Sequence, residues 1–262
     1  MNELTAAFRP CILIPTYDNQ RTVRDVVLRA RRHLADVVVV DDGGCAEARE
    51  VVAALGREGL AHVRHRERNG GKGAAVKTGF AFARELGYTH ALQADADGQH
   101  DLERIPEFLD AARRHPEALV LASPVFAQGT PRGRRIAREL TNFWVHIETF
   151  GRAIDDAMIG FRVYPLAVAQ AAKARTDRMD FDIEIAVRMV WLGTPVLNLP
   201  VQVRYLTAQE GGVSHFHLFR DNARISWLHT RLCVEGLLRL LNPRAPFGRR
   251  LPALPSMTGR AP

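Results

Sequence analysis

The sequence predicts an α/β protein built on a mainly parallel sheet with helices on both faces. Apolar segments of strand length alternate with segments of helical periodicity from Cys11 to Ala122. Val37-Val-Val-Val-Asp41 is a continuous β-branched run, as expected of a strand covered on both sides. Three polar signatures, Pro15-Thr-Tyr17, Asp41-Asp-Gly43 and Asp95-Ala-Asp97, each follow such a strand. Ligands of parallel sheets sit at the carboxyl ends of strands, so the three signatures point to one shared site.

Cys11–Pro15 reads as the first strand. Val23, Val26, Val27, Ala30 and Leu34 then recur at helical spacing between Arg21 and Leu34. After the strand ending at Asp41, Ala46–Leu55 is helical, and Ala61–Arg66 is a weaker, more polar strand. Gly73–Leu86 is a helix with Ala75, Gly79, Phe82, Ala83 and Leu86 on its inner face. His90–Ala94 is the strand that leads into the aspartate pair, followed by a helix over Leu102–Arg113 and a strand over Leu119–Ala122. The second half changes character. Arg132–Phe150 is helical, Gly160–Tyr164 is a strand returning to the sheet, Phe181–Leu192 is an apolar helix and Pro195–Tyr205 alternates like a strand.

Leu218–Leu241 is the last helix. Arg220, Arg224, Arg231, Glu235 and Arg239 form one narrow stripe on it, and most of the remaining circumference is apolar. Such a helix is expected to be buried; the alternative is a membrane interface with its arginines toward the head groups. Residues 1–241 read as a single domain. The Pro-, Arg- and Gly-rich stretch 242–262 reads as a disordered basic tail.

The formal charge is +7, and between His215 and Arg250 seven arginines face only Asp221 and Glu235. Nucleic acid, an anionic membrane surface and plain solvation are all compatible with that balance. Three widely spaced cysteines, Cys11, Cys45 and Cys233, form no metal or disulfide pattern. With no apolar run of bilayer length and no signal-peptide core, the expectation is a cytoplasmic protein.

Alternate residues of an extended strand point the same way, so Asp95 and Asp97 can aim both carboxylates at one point. Two hard oxygen ligands suit Mg²⁺ or Mn²⁺, and hence a diphosphate; the alternative is a polar loop in which Asp101 caps the next helix. Asn69-Gly-Gly-Lys-Gly73 opens a helix, where backbone amides and Lys72 can meet an anion. It matches neither the P-loop nor the dinucleotide fingerprint. Thr16 and Tyr17 with Asp41 and Asp42 suit a nucleobase, unless one of the aspartates caps the following helix. Met179-Asp-Phe-Asp-Ile-Glu184 supplies candidate general bases in Asp180, Asp182 and Glu184, unless one of them caps that helix and another pairs with Arg188. His215, beside Gly211-Gly212, is a candidate to close over a diphosphate from a mobile loop.

Taken together, Ile14-Pro-Thr-Tyr17, Val40-Asp-Asp-Gly43, Asn69-Gly-Gly-Lys-Gly-Ala-Ala75 and Asp95-Ala-Asp-Gly-Gln99 resemble, in order, the motifs of family-2 glycosyltransferases. Asp156-Ala-Met-Ile-Gly-Phe-Arg162 narrows the resemblance to the polyprenyl-phosphate sugar transferases, the dolichol-phosphate mannosyltransferase type. It spans about Cys11 to Tyr164, with Asp18-Asn19 where those relatives usually have Asn-Glu. The C-terminal third, including Gly211-Gly-Val-Ser-His-Phe216, looks more like family-2 enzymes of bacterial aryl-polyene-type pathways.

The resemblance implies a Rossmann-like, A-type glycosyltransferase fold and an inverting, metal-dependent transfer from a nucleotide-diphosphate sugar. It implies that Pro15, Thr16, Tyr17, Asp41 and Asp42 hold base and ribose, and that Lys72 and Gly73 lie beside the nucleotide. Asp95 and Asp97, with Gln99 as a further ligand, would bind Mg²⁺ or Mn²⁺ and the donor diphosphate, which makes Asp97 catalytic through the metal. Arg162 would reach the phosphates or order the site. The expected acceptor is lipid-like, a polyprenyl phosphate or a hydroxyl, reached at the cytoplasmic face of a membrane through the C-terminal helix. The rival readings are a nucleotidyltransferase making a nucleotide-sugar, and a basic nucleic-acid-binding protein. The first lacks its glycine-rich basic opening loop, and the second lacks exposed aromatics among the arginines, so no nucleic acid is expected.

Overall fold

The computed structural model describes residues 8–126, 132–151, 153–203, 218–241, 247 and 250–251. Among them, β1 (Pro10–Thr16), β2 (Val37–Asp41), β3 (His62–His65), β4 (His90–Gln93), β5 (Leu119–Phe126), β6 (Arg162–Pro165) and β7 (Val196–Val203) form one sheet. Its order is β3-β2-β1-β4-β6-β5-β7. All neighbours are parallel except β6, which runs antiparallel to both β4 and β5. The expectation of a mainly parallel sheet therefore holds, with the returning Gly160–Tyr164 segment as its one reversed strand.

The chain leaves β1 toward β2 and β3, then crosses back to lay β4 on the opposite side of β1. That reversal opens a crevice at the carboxyl ends of β1 and β4. Leu13 pairs with Gln93 and Thr16 with Asp41. All three polar signatures thus emerge along one edge, as the strand ends predicted.

The helices are α1 (Val23–Arg31), α2 (Ala46–Arg57), α3 (Lys72–Glu85), α4 (Ile105–Arg114), α5 (Arg132–Glu148), α6 (Leu166–Ala171), α7 (Phe181–Trp191) and α8 (Leu218–Leu240). Of these, the six-residue α6 was not legible, being too short to show a helical period. A 3-10 turn over Leu102–Arg104 precedes α4, and Asp101 Oδ1 accepts from the Glu103 amide at 3.2 Å, so Asp101 is a cap. The period-two geometry of the strands divides the core. Cys11, Leu13, Val38 and Val40 face α3 and α7, whereas Ile12, Ile14, Val37 and Val39 face α1, α2 and α4.

Burial of the last helix is only half correct. Ile225, Leu228 and Leu232 are buried, but Trp227 (68% exposed), Val234, Leu237, Leu238 and Leu241 are open. The charged stripe faces the protein instead: Arg231 donates to Glu184 at 2.8 Å, Arg188 to Glu235 at 2.9 Å, and Arg239 to the Trp191 carbonyl. These contacts with Glu184, Arg188 and Trp191 of α7 turn the charged stripe inward and leave leucines outside. On α5, which packs beside α8, Ile136, Leu140 and Phe143 are exposed as well.

Three residues of the 242–262 stretch contact the domain. Phe247 packs edge-on to Phe150, Arg250 forms a two-pronged pair with Asp155, and the Leu251 amide donates to the Val196 carbonyl at 2.8 Å. The rest of 242–262 lies outside the described residues. Phe108 is fully buried and meets Phe161 edge-on at 4.7 Å beneath the crevice. Phe108→Ala is expected to lower the unfolding free energy by about 3–5 kcal/mol, measured by urea denaturation.

Candidate functional site

At the centre of the crevice stands the ammonium of Lys72, the first residue of α3. Its Nζ lies 2.9 Å from Asp95, in the loop after β4, and 3.0 Å from Asp182 on α7. Burial works against the lysine's charge, but Asp182 and Asp95 outweigh it and hold the ammonium's pKa above its ordinary value. Asp95 shows the converse: burial pushes its carboxyl up, while Lys72 and His100 pull it below the usual carboxylate range. Gln93, the last residue of β4, approaches Asp182 with its amide at 3.5 Å and accepts from the Tyr164 hydroxyl at 3.3 Å.

Room for this cluster comes from the Asp156–Arg162 segment. Asp156 Oδ1 accepts from the amides of Met158 and Ile159, and its Oδ2 pairs with Arg138. Arg162 is fully buried and donates to the carbonyls of Ala157, Ile159 and Asp182, each at 2.6 Å. The loop so folded brings Gly160 against the site, where a Cβ would lie 2.5 Å from Lys72 Nζ and 3.0 Å from Asp95. Of the two roles expected of Arg162, the geometry supports ordering the site. Its Nε, Nη1 and Nη2 each give a hydrogen bond to a carbonyl, which ties the 157–162 loop to α7.

The glycine-rich segment has close protein neighbours. Gly71 has φ +103°, and a Cβ there would sit 2.5 Å from the Asp177 carbonyl. A Cβ on Gly73 would sit 2.4 Å from Phe181 Cβ. These glycines admit close approach of the 177–181 segment to the start of α3. The amide of Ala74 donates to Asp177 O at 3.0 Å. Asp42 accepts from the amides of Gly70 and Gly71 and from Arg66, so the protein supplies its own anion at the start of α3. Its carboxylate thereby holds this loop against the end of β2. Arg66 was missed by the sequence reading, because only folding brings it to Asp42.

Asp41 is fully buried; Oδ1 accepts from Gly44 N at 3.0 Å and Oδ2 lies 3.1 Å from His65. It closes its own turn and does not cap α2, whose leading amide, on Cys45, is met by Asp18 at 2.7 Å. Pro15 and Thr16 are buried and Tyr17 half-buried at the same edge. The Thr22 hydroxyl donates to Ala96 O at 2.6 Å and tethers the aspartate loop to the start of α1. Within that loop Asp97 Oδ1 accepts from Gln99 N at 3.0 Å, and Asp97 and Gln99 are both half-buried. His100 accepts from Asp95 N at 3.1 Å and turns its other nitrogen toward the same carboxylate. His215 lies outside the described residues.

The donor set suits a divalent ion in a limited way. Both oxygens of Asp95 face the Lys72 ammonium at 2.9 Å, Oδ2 as a hydrogen bond and Oδ1 as an ion pair, while Asp97 carries no ion pair among the described residues. No group of three His, Cys, Asp or Glu residues able to hold an ion occurs among the described residues. Two carboxylates with the remaining positions filled by substrate phosphates and water is a common Mg²⁺ arrangement, so the residues fit an ion that arrives with a diphosphate.

Residues 11–168, which carry nearly all of this edge, match the family model described as glycosyl transferase family 2. The chain belongs to that family. It is 30% identical over 220 residues to polyprenol monophosphomannose synthase of Mycolicibacterium smegmatis, covering 79% of this chain and 80% of that protein. It is 27% identical over 205 residues to undecaprenyl-phosphate mannosyltransferase of Micrococcus luteus, covering 74% and 82%. Among solved structures, glucosyl-3-phosphoglycerate synthase from Mycobacterium tuberculosis in complex with Mn²⁺, uridine diphosphate and phosphoglyceric acid superposes with a TM-score of 0.63 at 14% identity. That match covers 90% of this chain and 80% of that one. The likeness shows the A-type glycosyltransferase fold.

In this family-2 glycosyltransferase the three candidate bases have separate fates. Asp182 is paired with Lys72. Glu184 is fully buried and accepts from Arg175 N, Thr176 N, Arg188 and Arg231, so it pairs with Arg188 and is not available as a base. Asp180 precedes α7 without a side-chain capping bond, and burial raises its pKa. Glu184 also makes stability pH-dependent. Burial pushes its carboxyl up, but the Thr176 amide and Arg188 prevail and hold it below the ordinary value of 4.5. A depressed folded-state pKa adds stability that is complete above the unfolded value and fades as pH falls through the folded one. Thermal melts from about pH 6 to about pH 3 are expected to fall more steeply in the wild type than in Glu184→Gln.

Proposed function

We propose that this glycosyltransferase moves a sugar from a nucleoside-diphosphate sugar to a lipid phosphate at a membrane surface. The observation that carries this reading is the Lys72 ammonium held at the carboxyl edge of β1 and β4, between Asp95 and Asp182. A positive group held rigidly beside two carboxylates is preorganised to stabilise a diphosphate as it leaves, without reorganisation during the reaction. Tyr17, Thr16 and the turn closed by Asp41 form the side of the crevice where the nucleoside would lie. Mg²⁺ or Mn²⁺ held by Asp95 and Asp97, with Gln99 nearby, would supply Lewis-acid stabilisation of the leaving diphosphate.

The state of the candidate bases favours a phosphate acceptor over a hydroxyl. A lipid phosphate is already anionic and needs no proton removed. Asp182 and Glu184 are occupied by cations, and both relatives named above carry polyprenyl phosphates in their names. Asp180 is the carboxylate left to serve a hydroxyl acceptor.

Assayed with Mn²⁺ across uridine and guanosine diphosphate sugars and a short polyprenyl phosphate, the wild type is expected to transfer from one donor class. Lys72→Gln is expected to lower kcat by about 10²-fold, and Asp97→Ala to abolish Mn²⁺-dependent donor binding. Donor binding that is absent in the wild type, or indifferent to Asp97→Ala, overturns the reading.

The outward leucines of α8, with Trp227 and the open residues of α5, form the face by which the enzyme would rest on lipid. No helix among the described residues is long and apolar enough to cross a membrane, so the contact proposed is peripheral. Leu237→Asp with Leu238→Asp is expected to weaken co-sedimentation with anionic vesicles by about tenfold or more, since each leucine buried in an apolar phase is worth about 1.5–3 kcal/mol.

A further inference from the structure

The transfer reading assigns work to Lys72 but leaves unexplained how a long, flexible side chain is held in one place. The answer lies behind the site, at Glu184. Its carboxylate is fully buried and accepts four hydrogen bonds from three parts of the chain. Oε2 takes the amides of Arg175 and Thr176 at 2.9 and 2.7 Å. Oε1 takes Arg188 of its own helix at 2.7 Å and Arg231 of α8 at 2.8 Å. Fully satisfied, a buried charge of this kind fixes the relative position of everything bound to it; half satisfied, it is costly.

The backbone so fixed runs directly into the start of α3. Asp177 O accepts from Ala74 N at 3.0 Å and lies where a Gly71 side chain would otherwise be. Lys77, one turn further along α3, reaches back to Thr176 O at 3.1 Å and to Asp177 at 2.6 Å. Two residues before Glu184, Asp182 supplies the second carboxylate to the Lys72 ammonium. One buried carboxylate therefore supports Lys72 from both sides, through the segment under its backbone and through the helix that carries its partner.

We propose that Glu184 is a positioning residue that sets where the Lys72 ammonium stands, and that Arg231 makes α8 part of the support. This rests on the reading of Lys72 as the group facing the diphosphate. A neutral amide in place of Glu184 turns a donor toward donors and frees the 175–177 segment. Lys72 is then displaced without being removed.

The chain contains only three lysines, Lys72, Lys77 and Lys173, so the ammonium can be observed directly in [15Nζ]-lysine-labelled full-length protein by NMR. Lys72→Gln identifies its signal by deletion. In Glu184→Gln the Lys72 signal is expected to move or to exchange faster, whereas Arg24→Gln, which breaks the exposed Arg24–Glu58 pair, leaves it in place. In the transfer assay, Glu184→Gln is expected to lower kcat about tenfold with the donor KM within about twofold, the signature of a misplaced but present group. Arg231→Gln, which removes one donor of the four, is expected to act in the same direction and less strongly, and it answers the question if Glu184→Gln does not fold. A Lys72 signal that superposes on the wild type in the folded variants, or an unchanged kcat, overturns the proposal. A moved signal in a protein that transfers no sugar supports the positioning role and overturns the transfer reading alone.

Discussion

The described structure turns on one ammonium group. Lys72 is placed by α3, Asp95 by the end of β4 and Asp182 by the first turn of α7, so a single point of charge joins three elements that are distant in sequence. Asp182 is buried and Lys72 and Asp95 are half-buried, so each charge depends on the others for compensation. The surrounding features follow from that constraint. A side chain on Gly160 would meet the ammonium, and Gln93 turns its amide toward Asp182 from the end of β4.

Several polar residues of the motifs hold the loops around the ammonium. Asp42 holds the loop before Lys72, and Arg162 with Asp156 folds the loop that carries Gly160. Among the described residues, Lys72, the Asp95–Gln99 loop and Tyr17 lie along the crevice. A crevice with little free charge of its own suits a substrate that brings both phosphate and metal.

Much of this was legible in the sequence because it depends on local chemistry. The β-branched run at Val37–Asp41 and the apolar periodicity of α1 to α4 report strands and helices directly. The polar residues at strand ends report an edge, because side chains that end buried strands have few other roles. Arg66 on Asp42 and Arg231 on Glu184 were not legible, since no spacing in the sequence encodes a contact across 24 or 47 residues. Asp41, Asp42 and Gly73 were legible as a site but not by role, because a carboxylate or a glycine has the same signature whether it meets a ligand or a loop.

The last helix separates the two kinds of information most sharply. Its amphipathic stripe and its length were readable from the positions of Arg224, Arg231, Glu235 and Arg239, since helical geometry alone places them on one face. Which way that face points was not. The sequence by itself determined the sheet, its site-bearing edge and the residue types gathered there, all consequences of periodicity and of which side chains tolerate burial. Only the tertiary structure decided that Glu184 and the Trp191 carbonyl of α7 would take Arg231 and Arg239 inward and leave the leucines of α8 outside. That outcome depends on groups brought together from separate parts of the chain, whose hydrogen bonds leave no trace in the periodicity of either helix.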